Sequence, residues 1–250
     1  SECSALTQID IPSSVKSIDK NSFNKCASLI KVTIPSSVVS IENYAFNECS
    51  SIKQITIPSS VTSIGEFAFN GCISISQIQN SSSTKIIENN TFQKCRELSQ
   101  IVVPPTITAI GNESFSGCWS LEEINIPPSV AKIGNNSFSF CTSLTKITIP
   151  STVTSIGQSA FQGCKKLTQF TFPSSATSIE SNTFDGCSLL KQIIIPNSIT
   201  FIGDNAFNEC SSLERITIPS SITSIEANVF KNCSSLKEIK IPLSVSSIGN

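Results

Sequence analysis

The residues best equipped for chemistry in this chain are its eleven cysteines. They stand at Cys3, Cys26, Cys49, Cys72, Cys95, Cys118, Cys141, Cys164, Cys187, Cys210 and Cys233, each 23 residues after the last. A thiolate can attack an electrophile, bind a soft metal or pair into a disulfide, and each chemistry makes a demand that can be checked. A disulfide framework fails on parity and on distance. The count is odd, and units stacked ~4.7–4.9 Å apart do not give the ~3.8 Å Cβ separation of a disulfide. One cysteine per unit makes no C-x-x-C metal knuckle. The chain has no His, which removes the usual general base, the usual triads and most zinc sets. Glu122 and Glu123 lie next to each other on an expected strand and should point to opposite faces, against paired-carboxylate catalysis. Neither phosphate-cradling glycine motif, G-x-x-x-x-G-K-[ST] or G-x-G-x-x-G, occurs. No cofactor or metal is expected, and the chain reads as non-enzymatic.

The cysteine interval belongs to a repeat that runs from end to end. With Cys as position 1, the unit is C-x-S-L-x-x-I-x-I-P-S-S-V-T-S-I-G-x-x-A-F-x-x. Position 4 is Leu or Ile from Leu6 to Leu236, position 16 is Ile from Ile18 to Ile248, and position 21 is Phe from Phe23 to Phe230. A fixed period of this length means stacked units that bury their apolar sides against each other. Positions 5 to 9, as in Lys53-Gln54-Ile55-Thr56-Ile57, alternate as a half-buried strand does. One such strand per unit builds a parallel sheet, ended by the proline at position 10 (Pro12, Pro35, Pro58, Pro104) because proline lacks an N–H. Positions 13 and 16, such as Val61 and Ile64, point inward from a second short strand. Position 17 is Gly in six units but acidic in Asp19, Glu42, Glu88, Glu180 and Glu226, so an ordinary backbone is expected there. Asn-rich positions 18 and 19 before Ala-Phe-x-x-Cys suggest a capped single helical turn. The cysteines become a ladder of buried free thiols, each a small hydrophobe at a corner of the core.

The stretch Leu213-Glu214-Arg215-Ile216-Thr217-Ile218-Pro219-Ser220-Ser221-Ile222-Thr223-Ser224-Ile225, and its equivalents along the whole chain, resembles the BspA-like leucine-rich repeats. The resemblance implies a leucine-rich repeat solenoid of about eleven rungs. Its parallel sheet would lie on the concave side, with short strands and single helical turns on the others. It also implies an adhesin-type role at the cell surface or outside the cell, with host or matrix proteins as partners. Buried thiols are indifferent to redox compartment, so an intracellular scaffold stays open beside that reading.

Seventeen basic residues balance eighteen acidic ones, which gives no electrostatic ground for nucleic acid or anionic membrane as a partner. No apolar run approaches the ~20 residues of a membrane-spanning helix. The unbroken period makes residues 1–250 one continuous domain, and without a starting Met or a leader pattern it is expected to be a mature chain or a part of a longer one. Neither end has a polar capping unit: Cys3 and Leu6 open the first, and Ile241, Val245 and Ile248 close the last. A self-assembling solenoid that dimerises through its terminal rungs is the structural alternative.

Binding candidates fall in two places. The outward strand positions form a column of Gln54, Gln77, Gln100, Glu123, Lys146, Gln169, Gln192, Arg215 and Glu238, with Glu123–Lys146 and Arg215–Glu238 as complementary neighbours. Aromatics outside the core ladder, Tyr44 beside Phe67 and Trp119 near Phe140, are candidate anchors or corner fillers. The fourth unit is irregular, with Asn80, Ser81 and Thr84 where Ile, Pro and Val are expected, which suggests a loosened rung or a bend. Asn80, Asn89, Asn112, Asn135 and Asn232 begin N-x-S/T sequons of the kind a chain rich in these residues forms by chance.

Overall fold

The chain, in a computed structural model that describes residues 3–250, winds into ten complete rungs and a partial eleventh. Each rung gives a strand starting at position 6, two to four residues long, and a two-residue strand at positions 15–16, as in Gln54–Ile57 and Ser63–Ile64. All pairings are parallel and keep the 23-residue offset: Glu123 pairs with Lys146 and Ser40 with Ser63. Two strand columns therefore run the length of the solenoid, with the core between them and the position-21 corner.

Identical positions stack into identical ladders. Ten phenylalanines, Phe23 to Phe230, lie ring over ring with centroids 5.2–5.8 Å apart. Around them the position-4, -7, -13 and -16 side chains are buried from rung to rung. Burying one such side chain contributes about 1.5–3 kcal/mol, so the repeated column is the main source of stability. Rung eight differs. Phe170 and Phe172 replace aliphatics and meet Phe184 edge-on at 4.8 and 5.8 Å. The smaller Ala176 occupies position 13 of the same rung and is buried, which conserves volume.

The expected helical turn at positions 18–23 is not present; the described residues contain no helix. The segment is a run of turns with left-handed residues at positions 19 and 23, such as Tyr44 (φ 60°) and Glu48 (φ 57°). Alternate N–H groups divide their bonds. Tyr44, Phe46 and Glu48 donate forward to the carbonyls of Glu66, Ala68 and Asn70 in the next rung, at 3.0, 2.8 and 2.7 Å. Ala45, Asn47 and Cys49 donate back to the carbonyl three residues earlier. A helix would have closed all these bonds within the rung; here half of them tie rungs together. Asn at position 19 suits this because it tolerates the left-handed region better than other side-chain-bearing residues.

Position 17 has no positive φ among the described residues, as its acidic occupants implied. Glycine there answers a close approach instead. A Cβ on Gly134 would lie 2.7 Å from Asn112 Oδ1, and one on Gly157 would lie 2.5 Å from Asn135 Oδ1. Those oxygens accept the N–H groups of Asn135 and Gln158 in the following rungs, at 2.8 and 2.9 Å.

Rung four keeps register. Its strand extends to Asn80, which pairs with Ile57. Asn80 is buried, and its Oδ1 accepts the N–H of Ser82 at 3.1 Å; the Ser82 and Thr84 hydroxyls lie 3.0 Å apart. Polar groups replace the Pro turn, and Ser81 and Ser83 donate N–H bonds to Ile57 and Val61 of the rung before.

Candidate functional site

Nine of the thiols, Cys26 to Cys210, are fully buried and unpaired. The eight from Cys49 to Cys210 and the half-buried Cys233 donate S–H to the carbonyl of the phenylalanine 26 residues earlier, at 3.0–3.3 Å. Burial pushes Cys49, Cys95 and Cys164 up to about 12. Burial, reinforced by repulsion from the neighbouring cysteines of the ladder, pushes Cys72 and Cys118 well above the usual thiol range. A thiol held neutral in an apolar corner is neither nucleophile nor ligand. Among the described residues, no three His, Cys, Asp or Glu side chains gather where they could hold a metal ion.

The second site is the face of the longer strands. All nine candidates from Gln54 to Glu238 are exposed and stand in one column. Register places Gln54, Gln77 and Gln100 side by side, then Glu123 against Lys146, Gln169 against Gln192, and Arg215 against Glu238. The complementary neighbours do not close as ion pairs. Glu238 pairs instead with Lys240 on its own strand, and Glu214 with Lys237 of the next rung, both at 3.8 Å and both exposed. Long exposed side chains gain little from holding one geometry against solvent, so register alone does not form a pair. Glu122 lies just before the strand that starts at Glu123, and both residues are exposed. Shallow hollows mark this face. One of about 560 Å³ lies around Lys191, Gln192, Ile194, Glu214 and Arg215. Another of about 380 Å³ lies around Gln100, Glu123, Asn125 and Lys146. Val102 and Ile194 are exposed aliphatics of the strand face, at 59% and 60%, and Ile30 is exposed at its edge.

The aromatics lie in the run of turns that leads from each short strand past the next cysteine. Tyr44 and Phe67 stack at 4.8 Å with rings 5° from parallel, as adjacency in the repeat predicts, and both are half-buried. Trp119 and Phe140 make no ring contact with each other. Trp119 carries the Arg96 guanidinium 4.4 Å from its ring centroid, toward the rung before. Phe140 lies over Gly163, toward the rung after.

The BspA-type leucine-rich repeat profile, six copies long, matches residues 16–145 and 132–250. This chain belongs to the BspA-type leucine-rich repeat family. Solved structures agree. A leucine-rich repeat protein from Bacteroides ovatus is 29% identical over 99% of this chain and 76% of its own, with a TM-score of 0.77. A leucine rich cell surface protein from Faecalibacterium prausnitzii is also 29% identical, over 94% and 87% of the two chains, with a TM-score of 0.51. A Treponema pallidum (T. pallidum) leucine-rich repeat protein is 28% identical over 73% and 77%, with a TM-score of 0.56. No curated protein matches the sequence at a significant level. Family and fold are those of repeat proteins that generally lack catalysis, and no helix among the described residues is long and apolar enough to cross a membrane.

Within this BspA-type solenoid, sequence reasoning passed over two columns. Position 22 forms a polar ladder: Asn47 Nδ2 donates to Asn24 Oδ1 at 2.8 Å, and Asn70 Nδ2 to Asn47 Oδ1 at 2.7 Å. Position 12 hydroxyls, such as Ser37 and Ser60, donate to the position-13 carbonyl of the preceding rung. The signal was a polar residue recurring every 23 positions, and period alone does not say whether it faces solvent or a neighbouring rung.

Proposed function

We propose that this BspA-type chain is a non-enzymatic, adhesin-type module of a cell surface that holds protein partners on its strand face. The carrying observation is the column from Gln54 to Glu238: exposed, in register over many rungs, and spared any role in the core. Its amides and mixed charges supply hydrogen-bonding groups, while Val102 and Ile194 add isolated apolar contacts. A polar face with few anchors binds weakly at one point and gains by repetition, and the rung-by-rung recurrence provides that. The cell-surface relative from Faecalibacterium supports the compartment.

The test is binding to a panel of immobilised host-surface and matrix proteins, measured by interferometry. Replacing Gln100, Glu123, Lys146 and Gln169 together with Ala should weaken any interaction at least tenfold and leave the melting temperature in place. Equal binding by parent and variant moves the site off this face, and a parent that binds nothing on the panel removes the adhesin reading.

A further inference from the structure

We infer that the corner between Phe140 and Glu209 is a carbohydrate-binding trough, separate from the strand face and independent of the function proposed for it. Position 23 carries Lys25, Glu48, Lys94, Phe140, Glu209 or Asn232 in six rungs and glycine in four, singly at Gly71 and Gly117 and in consecutive rungs only at Gly163 and Gly186. Gly163 seats the Phe140 ring, and Gly186 leaves the floor beside that ring open as far as Glu209. Lys165, Ser188, Gln162 and Asp185 line it, and the hollow measures about 370 Å³, inside the ~300–1,000 Å³ range of small-ligand sites.

The platform is built rather than incidental. Phe140 is 48% exposed and has φ 56°, a backbone state that costs a bulky residue free energy. Its ring fits because Gly163 has no side chain: a Cβ there would lie 2.7 Å from the ring's Cδ1. Beside it Asp185 is fixed on both carboxylate oxygens, accepting from Gln162 Nε2 at 2.8 Å and from Asn208 Nδ2 at 2.7 Å.

This combination fits one ligand chemistry best. A pyranose presents an apolar C–H face, suited to the electron-rich face of an aromatic ring, and a rim of hydroxyls that both donate and accept. The trough offers one ring, then fixed carboxylate, amide, hydroxyl and ammonium groups at its walls. An apolar peptide side chain would find that ring and no enclosing apolar wall. Rungs ~4.8 Å apart are spaced about as closely as successive sugar rings, so two linked sugars can span the floor, the first on Phe140 and the second between Asp185 and Glu209.

The repeat supplies variants that should fold. Gly186→Lys fills the floor with a residue that Lys25 and Lys94 already hold at φ 60° in the same position, and Phe140→Asn copies Asn232, also at φ 60°. The probes are soluble oligosaccharides of two to six residues built from glucose, N-acetylglucosamine or uronate, measured by titration calorimetry. The expected result is binding by the parent and by the Gln100/Glu123/Lys146/Gln169 strand-face variant, with at least tenfold loss in Gly186→Lys and in Phe140→Asn at unchanged melting temperature. No binding of any probe by the parent overturns the inference, as does binding that both trough variants retain. Loss in the strand-face variant would overturn the separateness of the site, while failure of the protein panel alone would leave the trough standing.

Discussion

Phe138 and Phe140 are two residues apart, identical in type, and predicted to respond to removal in opposite ways. Phe138 is fully buried and stacked between Phe115 and Phe161, at 5.4 and 5.6 Å. Phe138→Ala removes the ring from the middle of the ladder, where neighbouring rungs cannot close the gap without breaking their own register. The loss falls in the range of about 3–5 kcal/mol measured for a cored Phe, with the two ring contacts placing it in the upper half. A chain of this size shifts roughly 2–4 °C per kcal/mol, so melting should fall by roughly 10 °C or more. The transition should also broaden, because a solenoid's cooperativity passes through nearest-neighbour interfaces. Phe140→Asn relieves a left-handed backbone position of a bulky side chain and uncovers no core, so its melting temperature should hold or rise slightly. Circular dichroism melts of parent and both variants decide it. If Phe138→Ala melted with the parent, or both variants fell together, the assignment of inward and outward positions would be wrong.

Other expectations follow from the same contacts. The buried thiols have raised pKa values in the folded state, so above ~8.5 the unfolded chain loses protons that the folded chain retains. Their contribution is complete below that pH and is lost as pH rises toward the folded values, near 12 for Cys95 and Cys164. Urea midpoints should therefore drop steeply between pH 9 and 11, about 1.4 kcal/mol per buried thiol per pH unit, and a flat profile would contradict the burial. Gly134→Glu should destabilise the chain because its side chain meets Asn112 Oδ1. Adding Asn112→Gln, which copies the Gln158–Glu180 pairing in adjacent rungs, should recover part of the loss, and strict additivity of the two changes would argue against the contact. Asn80→Ala leaves the Ser82 N–H without its acceptor and should cost about 1–3 kcal/mol by chemical denaturation; a neutral result would mean that water already serves that group.

The rung register and the inward positions were legible in the sequence because each inward site repeats one residue type: Phe at 21, Ile at 16, Leu or Ile at 4. Such sites have one physical solution, a buried column, and the structure has it. The corner was misread as helical because Asn-x-Ala-Phe resembles a cap and a turn. What defeats the helix is the left-handed backbone at positions 19 and 23, and residues as different as Tyr44, Glu113 and Ser159 occupy position 19. The frequent Asn at position 19 and Gly at position 23 hinted at that conformation, but those exceptions masked it, and N–H groups reaching the next rung stabilise it. The strand-face column was legible as exposed, but its ion pairs were not, because exposed side chains choose among several neighbours. The trough lay hidden in a column that alternates charged, aromatic and glycine residues, where only the three-dimensional floor joins Gly163 to Gly186.

The central claim is that the cysteine interval marks a buried, chemically silent ladder that reports the register of the solenoid. Labelling of the native chain with iodoacetamide at pH 8, read residue by residue by mass spectrometry, tests it most directly. Exposed Cys3 should label quickly and half-buried Cys233 slowly, Cys26 to Cys210 should stay unmodified until denaturant is added, and all eleven should then react as free thiols. Rapid native labelling at interior rungs, or cysteines that denaturant fails to release because they are disulfide-bonded, would contradict the account.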